Sequence, residues 1–150
     1  MRRIYLYLAL DGVILRRTGH TDFKGRTEFV VAPDAMEFLS WAVENFNCYW
    51  LTSRSHDGSY GEIERAFRLA IPAANLPDNL RMLIRAIRPA SWGKGKVEGI
   101  DMFRDFYWVD DDPDQASVDA LEKAGLISRL HIASTDQRLD DLARVKISLV

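Results

Sequence analysis

The sequence has little of what would mark several common protein classes. It contains one cysteine, Cys48, which excludes an internal disulfide framework and a zinc site built from several cysteines. No apolar run approaches the roughly 20 residues of a membrane-spanning helix, and the short run after Arg2 and Arg3 meets Asp11. Linkers rich in glycine or serine and internal repeats are also missing. We therefore expect a single domain over residues 1–150, with no membrane segment and a reducing, cytoplasmic location.

The sequence also lacks a large excess of positive or negative charge. The chain has 20 Lys and Arg against 22 Asp and Glu, a formal net charge of -2. This balance does not support nucleic acid as a partner, and leaves it open only through a local basic patch. A composition of 47% hydrophobic and 28% charged residues excludes collagen-like, low-complexity and largely disordered chains. Cys48 lies in an apolar run, which predicts a buried small hydrophobic residue.

Short apolar runs alternate with segments of helical periodicity along the chain. This alternation predicts an α/β fold, a three-layer Rossmann-like sandwich with a mainly parallel central sheet. Buried strands are predicted at 4–10, 48–51, 106–109 and 130–133, and helices at 34–45, 60–70, 115–124 and 139–145. In the first helix, we expect Met36, Leu39 and Val43 to form the buried stripe.

The remaining segments are less regular. Residues 13–17 and 27–31 are two extended runs that predict a hairpin flap. Residues 80–87 fit a helix or a strand, and residues 96–103 indicate a short helix. Pro72 and Pro77 bracket a predicted loop.

Polar side chains follow three of the predicted strands. Asp11, Thr52 and Asp110 stand at these ends, where open parallel sheets bind their ligands. Asp11 with Asp110 and Asp111 predicts a carboxylate cluster, with Asp114 as a further candidate. Oxygen-rich clusters of this kind suit Mg²⁺, because a cation relieves the repulsion between like charges. The alternative for residues 110–114 is a solvated loop followed by a helix N-cap.

Four segments follow one another along the chain, each with a recognisable pattern: Ile4–Val13, Tyr49–Arg54, Gly95–Ile100 and Tyr107–Asp112. The first resembles an apolar strand followed by Asp-x-Asp-Gly, and the second a strand ending in Thr or Ser. The third carries a lysine, Lys96, with Lys94 as the rival, and the fourth is an apolar strand with paired aspartates. Together and in this order, the four segments resemble the motifs of the haloacid dehalogenase-like (HAD) superfamily.

The resemblance implies a phosphoryl-transfer mechanism. In the family, the first motif I aspartate attacks phosphorus and becomes an aspartyl-phosphate. The second aspartate, here Asp11, is the general acid and base, while Thr52 and Lys96 hold the phosphoryl group. Asp110 and Asp111 would bind Mg²⁺ together with Asp11.

The chain departs from the family pattern at the nucleophile. Ala9 stands where the attacking aspartate is expected, and Gly12 directly after Asp11 marks Asp11 as the second aspartate. Ala9 is either a natural divergence, which we favour, or an engineered replacement. We expect a HAD-like phosphohydrolase scaffold that is inactive in this chain. The alternative is a non-catalytic phosphate- or metal-binding regulatory module on the same fold.

Two further expectations concern the neighbourhood of the site. The spacing between the motifs leaves no room for a large cap domain. In this the chain resembles capless members of the family, whose open sites accept phosphorylated ligands, including macromolecules. A receiver domain is disfavoured, because its phosphoacceptor should follow the strand that here ends in Thr52. Basic residues that could contact phosphate, unless they are simply solvated, are His20, Lys24, Arg26, Arg81, Arg85 and Arg88.

Overall fold

The computed structural model describes residues 3–71 and 78–150. Its strands are β1 (Tyr5–Leu8), β2 (Leu15–Thr21), β3 (Thr27–Val31), β4 (Asn47–Trp50), β5 (Arg88–Pro89), β6 (Phe106–Asp110) and β7 (Leu130–Ile132). Its helices are α1 (Ala35–Asn45), α2 (Gly61–Ala70), α3 (Asp78–Ala86), α4 (Gln115–Ala124) and α5 (Asp141–Leu149).

The central sheet has the strand order β5-β4-β1-β6-β7, and its neighbouring strands pair in parallel. Strand β1 lies in the middle, with Leu8 in register with Trp50 of β4 on one side and Val109 of β6 on the other. The three strands whose ends carry the predicted site are therefore adjacent, as expected from their apolar sequences. Because the pairing is parallel, their carboxyl ends meet at one edge of the sheet.

The two faces of the sheet support separate halves of the core. Leu6 and Leu8 of β1 belong to a buried cluster that includes residues of α1, α2, α3 and α5. Tyr7, which points the opposite way, belongs to a second cluster with Leu121 of α4. This period-2 alternation produces helices on both sides of a sheet. The predicted three-layer α/β sandwich is confirmed, and among residues 3–71 and 78–150 no large cap covers the sheet.

The buried stripe of α1 differs from the predicted one. Of the three residues expected to be buried, only Leu39 is, while Met36 and Val43 are only partly covered. The stripe is displaced by one position because two small residues take part in it and let the helix approach the sheet closely. The buried residues are Ala35, Phe38, Leu39 and Ala42.

The segment between α2 and β6 resolves one open alternative and corrects one prediction. The stretch that fitted helix or strand forms α3, whereas the predicted helix at 96–103 is only a 3-10 turn, Lys96–Gly99. The turn stops because Ile100 is extended (φ -100°, ψ 129°), which buries its side chain in the second core cluster. The loop predicted between Pro72 and Pro77 lies outside the described residues.

The predicted flap is confirmed as the antiparallel hairpin β2–β3. Strand β2 is longer than expected and continues to Thr21, with a shift in pairing between Arg17 and Thr21. Strand β3 contacts α2, so the flap stands beside the carboxyl edge of the central sheet.

The helices and the single cysteine can be compared with the expectations from the sequence. None of the helices in residues 3–71 and 78–150 combines the length and apolarity needed to cross a membrane. Cys48 is buried as predicted, and burial raises the pKa of its thiol to about 12. The thiol therefore stays protonated at neutral pH and serves as a small core residue.

Candidate functional site

A cleft of about 160 Å³ opens at the carboxyl edge of β1, β4 and β6; we call it the strand-end cleft. It brings together six of the residues that the sequence placed in the site, from four separate parts of the chain: Ala9, Asp11, Thr52, Lys96, Asp110 and Asp111. The lining consists of Ala9, Leu10, Asp11, Arg17, Thr52, Ser53, Lys96, Asp110, Asp111 and Asp112.

Ala9 occupies a fixed position in this lining. Its backbone N–H donates to the Val109 carbonyl at 2.9 Å, which extends the pairing of β1 with β6 by one residue. The residue is 2% exposed. A methyl group thus stands at the strand end where the sequence resemblance predicts an attacking aspartate.

Lys96 reaches into the cleft from the 3-10 turn and pairs with a buried carboxylate. Its Nζ donates to Asp110 Oδ2 at 2.8 Å, and the Asp110 side chain is fully buried. The other oxygen, Oδ1, accepts the backbone N–H of Asp112 at 3.0 Å. Lys94 is exposed and does not line the cleft, so the geometry favours Lys96 of the two candidate lysines.

Asp114 does not join the carboxylate cluster. It is the N-cap of α4, and its Oδ2 accepts the backbone N–H of Ser117 at 3.0 Å. Its Oδ1 accepts the backbone N–H of Lys96 at 3.2 Å. Partial burial raises the pKa of Asp114, but these hydrogen bonds outweigh burial and lower it. The carboxylate therefore caps a helix and anchors the turn that carries Lys96.

Asp11 faces a guanidinium that the sequence reasoning did not single out. Nε of Arg54 donates to both carboxylate oxygens of Asp11, at 2.8 and 3.0 Å. Its position in the sequence could have indicated a role in the site, because Arg54 follows Thr52 by two residues and so lies close to the strand end. The ion pair holds Asp11 in one orientation.

Thr52 is held by contacts on both of its polar groups. Its hydroxyl accepts the backbone N–H of Arg54 at 3.2 Å, and its carbonyl accepts Nε1 of Trp92 at 3.0 Å. The residue is 2% exposed and lines the cleft. Because the hydroxyl oxygen accepts, its hydrogen is available to a ligand oxygen.

Asp111 lies against the turn that follows β1. Gly12 has a φ of 78°, and a Cβ at this position would lie 2.1 Å from Asp111 Oδ2. Burial and the neighbouring charge of Asp110 raise the pKa of Asp111 to about 6. Arg17 is the nearest cation, at 3.9 Å from Oδ2, which is too far for a direct hydrogen bond. The Asp110–Asp111 pair is thus only partly compensated.

The loop after β7 fixes the flap and the turn after β1. Asp136 accepts the backbone N–H of Arg17, and its second oxygen accepts the Arg17 guanidinium. The buried Thr135 hydroxyl lies 3.2 Å from the Gly12 carbonyl and 3.0 Å from the Val13 carbonyl. Burial lowers the pKa of Arg17, but the hydrogen bond to Asp136 outweighs this and raises it. The pair with Asp136 holds Arg17 at the rim of the cleft.

The carboxylate oxygens of the cleft are suitable ligands for a hard cation such as Mg²⁺, but they are not arranged around a common point. Four carboxylates and only two cations line the cleft, so it carries excess negative charge. Within residues 3–71 and 78–150, no three Asp, Glu, His or Cys side chains are grouped so as to hold a metal ion. Asp11 is turned to Arg54 and Asp110 to Lys96. These carboxylates are suitable ligands for Mg²⁺, but they already have partners within the chain, so we expect Mg²⁺ to bind weakly. Magnesium binding stays a prediction.

The basic residues proposed as phosphate contacts lie elsewhere. None of the six lines the strand-end cleft, where Arg17 and Lys96 provide the positive charge. Arg26 pairs with Asp22 in the flap, and Arg81 and Arg85 line a separate cavity between α2 and α3.

No protein-family model matches the chain, and the comparison with curated proteins finds no match either.

Proposed function

We propose that the chain is a phosphate-ester-binding protein on a HAD-like phosphohydrolase scaffold, and that it does not turn its ligand over. The observation that carries this proposal is Ala9, a methyl group at the end of the central strand in a cleft that otherwise contains Asp11, Thr52, Lys96 and Asp110. A covalent phosphoenzyme needs an attacking oxygen at that strand position, and alanine has none.

The remaining side chains are suited to hold a phosphoryl group. The Thr52 hydroxyl can donate one hydrogen bond, and the Lys96 ammonium has three hydrogens, of which one is used by Asp110. The backbones of both residues are held by contacts outside the cleft, Thr52 by Trp92 and Lys96 by Asp114, and the Lys96 side chain is held by Asp110. Little ordering is therefore required when a ligand binds.

Excess negative charge opposes the entry of an anion and must be compensated. Mg²⁺, when bound beside Asp110 and Asp111, would supply the positive charge that shields the phosphate from these carboxylates. Lys96 and Arg17 supply the part of the compensation that belongs to the chain itself. We therefore expect phosphate affinity to rise when Mg²⁺ is added.

Calorimetric titration with inorganic phosphate, with and without Mg²⁺, tests the proposal. We expect binding that Mg²⁺ strengthens and that Thr52→Val weakens by about tenfold, the effect of about one lost hydrogen bond to a charged group. Thr21→Val in the exposed part of the flap is the matched control and should leave binding unchanged. Absence of binding in both conditions, or equal binding by Thr52→Val and the parent chain, would overturn the proposal.

A non-catalytic metal-binding or regulatory role on the same fold remains the second candidate, and the carboxylate excess of the cleft favours it. It differs in its ligand, since a metal-binding module would take Mg²⁺ without any dependence on Thr52.

A further inference from the structure

A second cavity is linked to the strand-end cleft by the ion pair between Arg54 and Asp11. It has a volume of about 290 Å³ and lies between the flap and α2; we call it the flap groove. It is lined by Asp22, Arg26, Thr27, Glu28, Phe29, Arg54, Ala66 and Leu69.

Arg54 separates the two cavities. Its Nε binds the Asp11 carboxylate, which lines the cleft, while Arg54 itself lines the groove. The guanidinium carbon lies 5.1 Å from the centroid of Phe29, which belongs to the groove wall. The flap groove therefore lies on the other side of Arg54 from a phosphate bound in the cleft.

The charged groups of the groove are already matched. Arg26 Nε donates to Asp22 Oδ2 at 2.9 Å, and Arg54 is paired with Asp11. Glu28 accepts a hydrogen bond from Thr18 at 3.1 Å. Two cations and two carboxylates line the groove, so it offers no excess positive charge to a second anionic group.

Apart from Thr27, the rest of the groove wall is apolar: Phe29, Ala66 and Leu69. Phe29 is partly covered and packs against the core, and Leu69 of α2 is 58% exposed. A ring placed over Leu69 would remove this apolar surface from water, which is favourable in proportion to the area covered. A cavity of about 290 Å³ has room for a single ring system.

From these features, and resting on the proposed phosphate site, we infer that the ligand is a phosphomonoester whose organic group is an uncharged ring, bound in the flap groove. Diphosphates and polynucleotide ends are disfavoured, because their second anionic group would meet a groove whose cations already face carboxylates.

The test compares three ligands by calorimetry in the presence of Mg²⁺: inorganic phosphate, phenyl phosphate and pyrophosphate. The parent chain should bind phenyl phosphate about tenfold more tightly than inorganic phosphate, a modest gain for burying a ring against apolar surface. Leu69→Gln should lose most of this difference and keep its affinity for inorganic phosphate. Met82→Gln, an exposed apolar residue of α3 outside the groove, is the matched control and should behave as the parent.

The outcomes separate this inference from the proposed function. If none of the three ligands binds, the phosphate site itself is wrong. If inorganic phosphate binds but phenyl phosphate has no advantage, or Leu69→Gln keeps the advantage, the flap groove is not the ring site. Pyrophosphate binding more tightly than phenyl phosphate would also overturn the inference, since it would mean that the groove accepts charge.

Discussion

Nε of Arg54 lies 2.8 Å from one carboxylate oxygen of Asp11 and 3.0 Å from the other. The pair joins the strand-end cleft to the flap groove, and it gives Asp11 a partner within the chain. A metal ion that bound Asp11 would have to compete with this guanidinium.

Removing that competitor should strengthen Mg²⁺ binding. We expect Arg54→Met to bind Mg²⁺ about tenfold more tightly than the parent, because one cation close to the site is lost and Asp11 is freed. Titration calorimetry measures the change. Arg104→Met, which removes the exposed pair with Asp101, is the control. Equal affinities for Arg54→Met and the parent, or no binding by either, would remove magnesium from the account.

Lys96 should matter for stability and Lys94 should not. Lys96→Met leaves the buried Asp110 carboxylate without its cation, which typically costs about 3–5 kcal/mol when the partner stays charged. Lys94 is exposed, so Lys94→Met should change the free energy of unfolding by less than about 0.5 kcal/mol. Urea denaturation at neutral pH compares the two. Equal losses in the two variants would contradict the assignment of Lys96 to the cleft.

Gly12 should be less tolerant of a side chain than another glycine of similar backbone conformation. Gly12 and Gly25 have φ values of 78° and 76°, so alanine is strained at both, at a cost of about 1–2 kcal/mol. Only at Gly12 would the new Cβ meet an atom, Asp111 Oδ2, whereas at Gly25 nothing lies within 4 Å. Thermal or urea unfolding should therefore show a clearly larger loss for Gly12→Ala than for Gly25→Ala. A loss at Gly12 no greater than at Gly25 would mean that Asp111 moves away freely.

Asp141 should contribute stability that disappears in acid. The hydrogen bond from Arg144 lowers the pKa of this nearly buried carboxyl, and the Ser134 N–H acts in the same direction. A lowered pKa means stability that is present above the unfolded value of about 3.9 and is lost as the pH falls through the folded value. Asp141→Asn should thus unfold about 1–3 kcal/mol more easily at pH 7, with a smaller difference at pH 3. The exposed Asp140→Asn is the control, and a gap that stays constant with pH would contradict the assignment.

Much of the fold followed from local sequence. The apolar runs ending before Asp11, Thr52 and Asp110 are strongly hydrophobic, as strands covered on both faces must be, and their order in a parallel sheet is constrained by crossover rules. The α1 stripe was misplaced because alanines carry a weak hydrophobic signal and yet pack most closely. The helix at 96–103 was overestimated because the extended backbone of Ile100 depends on a distant partner, the second core cluster.

The site was predictable in its strand-end residues and not in its partners. Asp11, Thr52 and Asp110 are marked by their positions after apolar runs. Arg54 and Asp136 are polar residues in loops, and nothing local reveals that one pairs with Asp11 and the other with Arg17. Asp114 illustrates the limit, because its residue type fits both a metal ligand and a helix cap, and only the contact with Ser117 distinguishes them.

The most direct measurement is the hydrolysis of an aryl phosphate in the presence of Mg²⁺, comparing the parent chain with Ala9→Asp. We predict background turnover by the parent, because no oxygen stands in line with the leaving group at the end of β1, and a rise above background for Ala9→Asp. Asp11→Asn in the parent should change nothing. Turnover by the parent chain that Asp11→Asn abolishes would contradict the account, and failure of Ala9→Asp on every phosphate ester tried would contradict the hydrolase ancestry and favour the non-catalytic module.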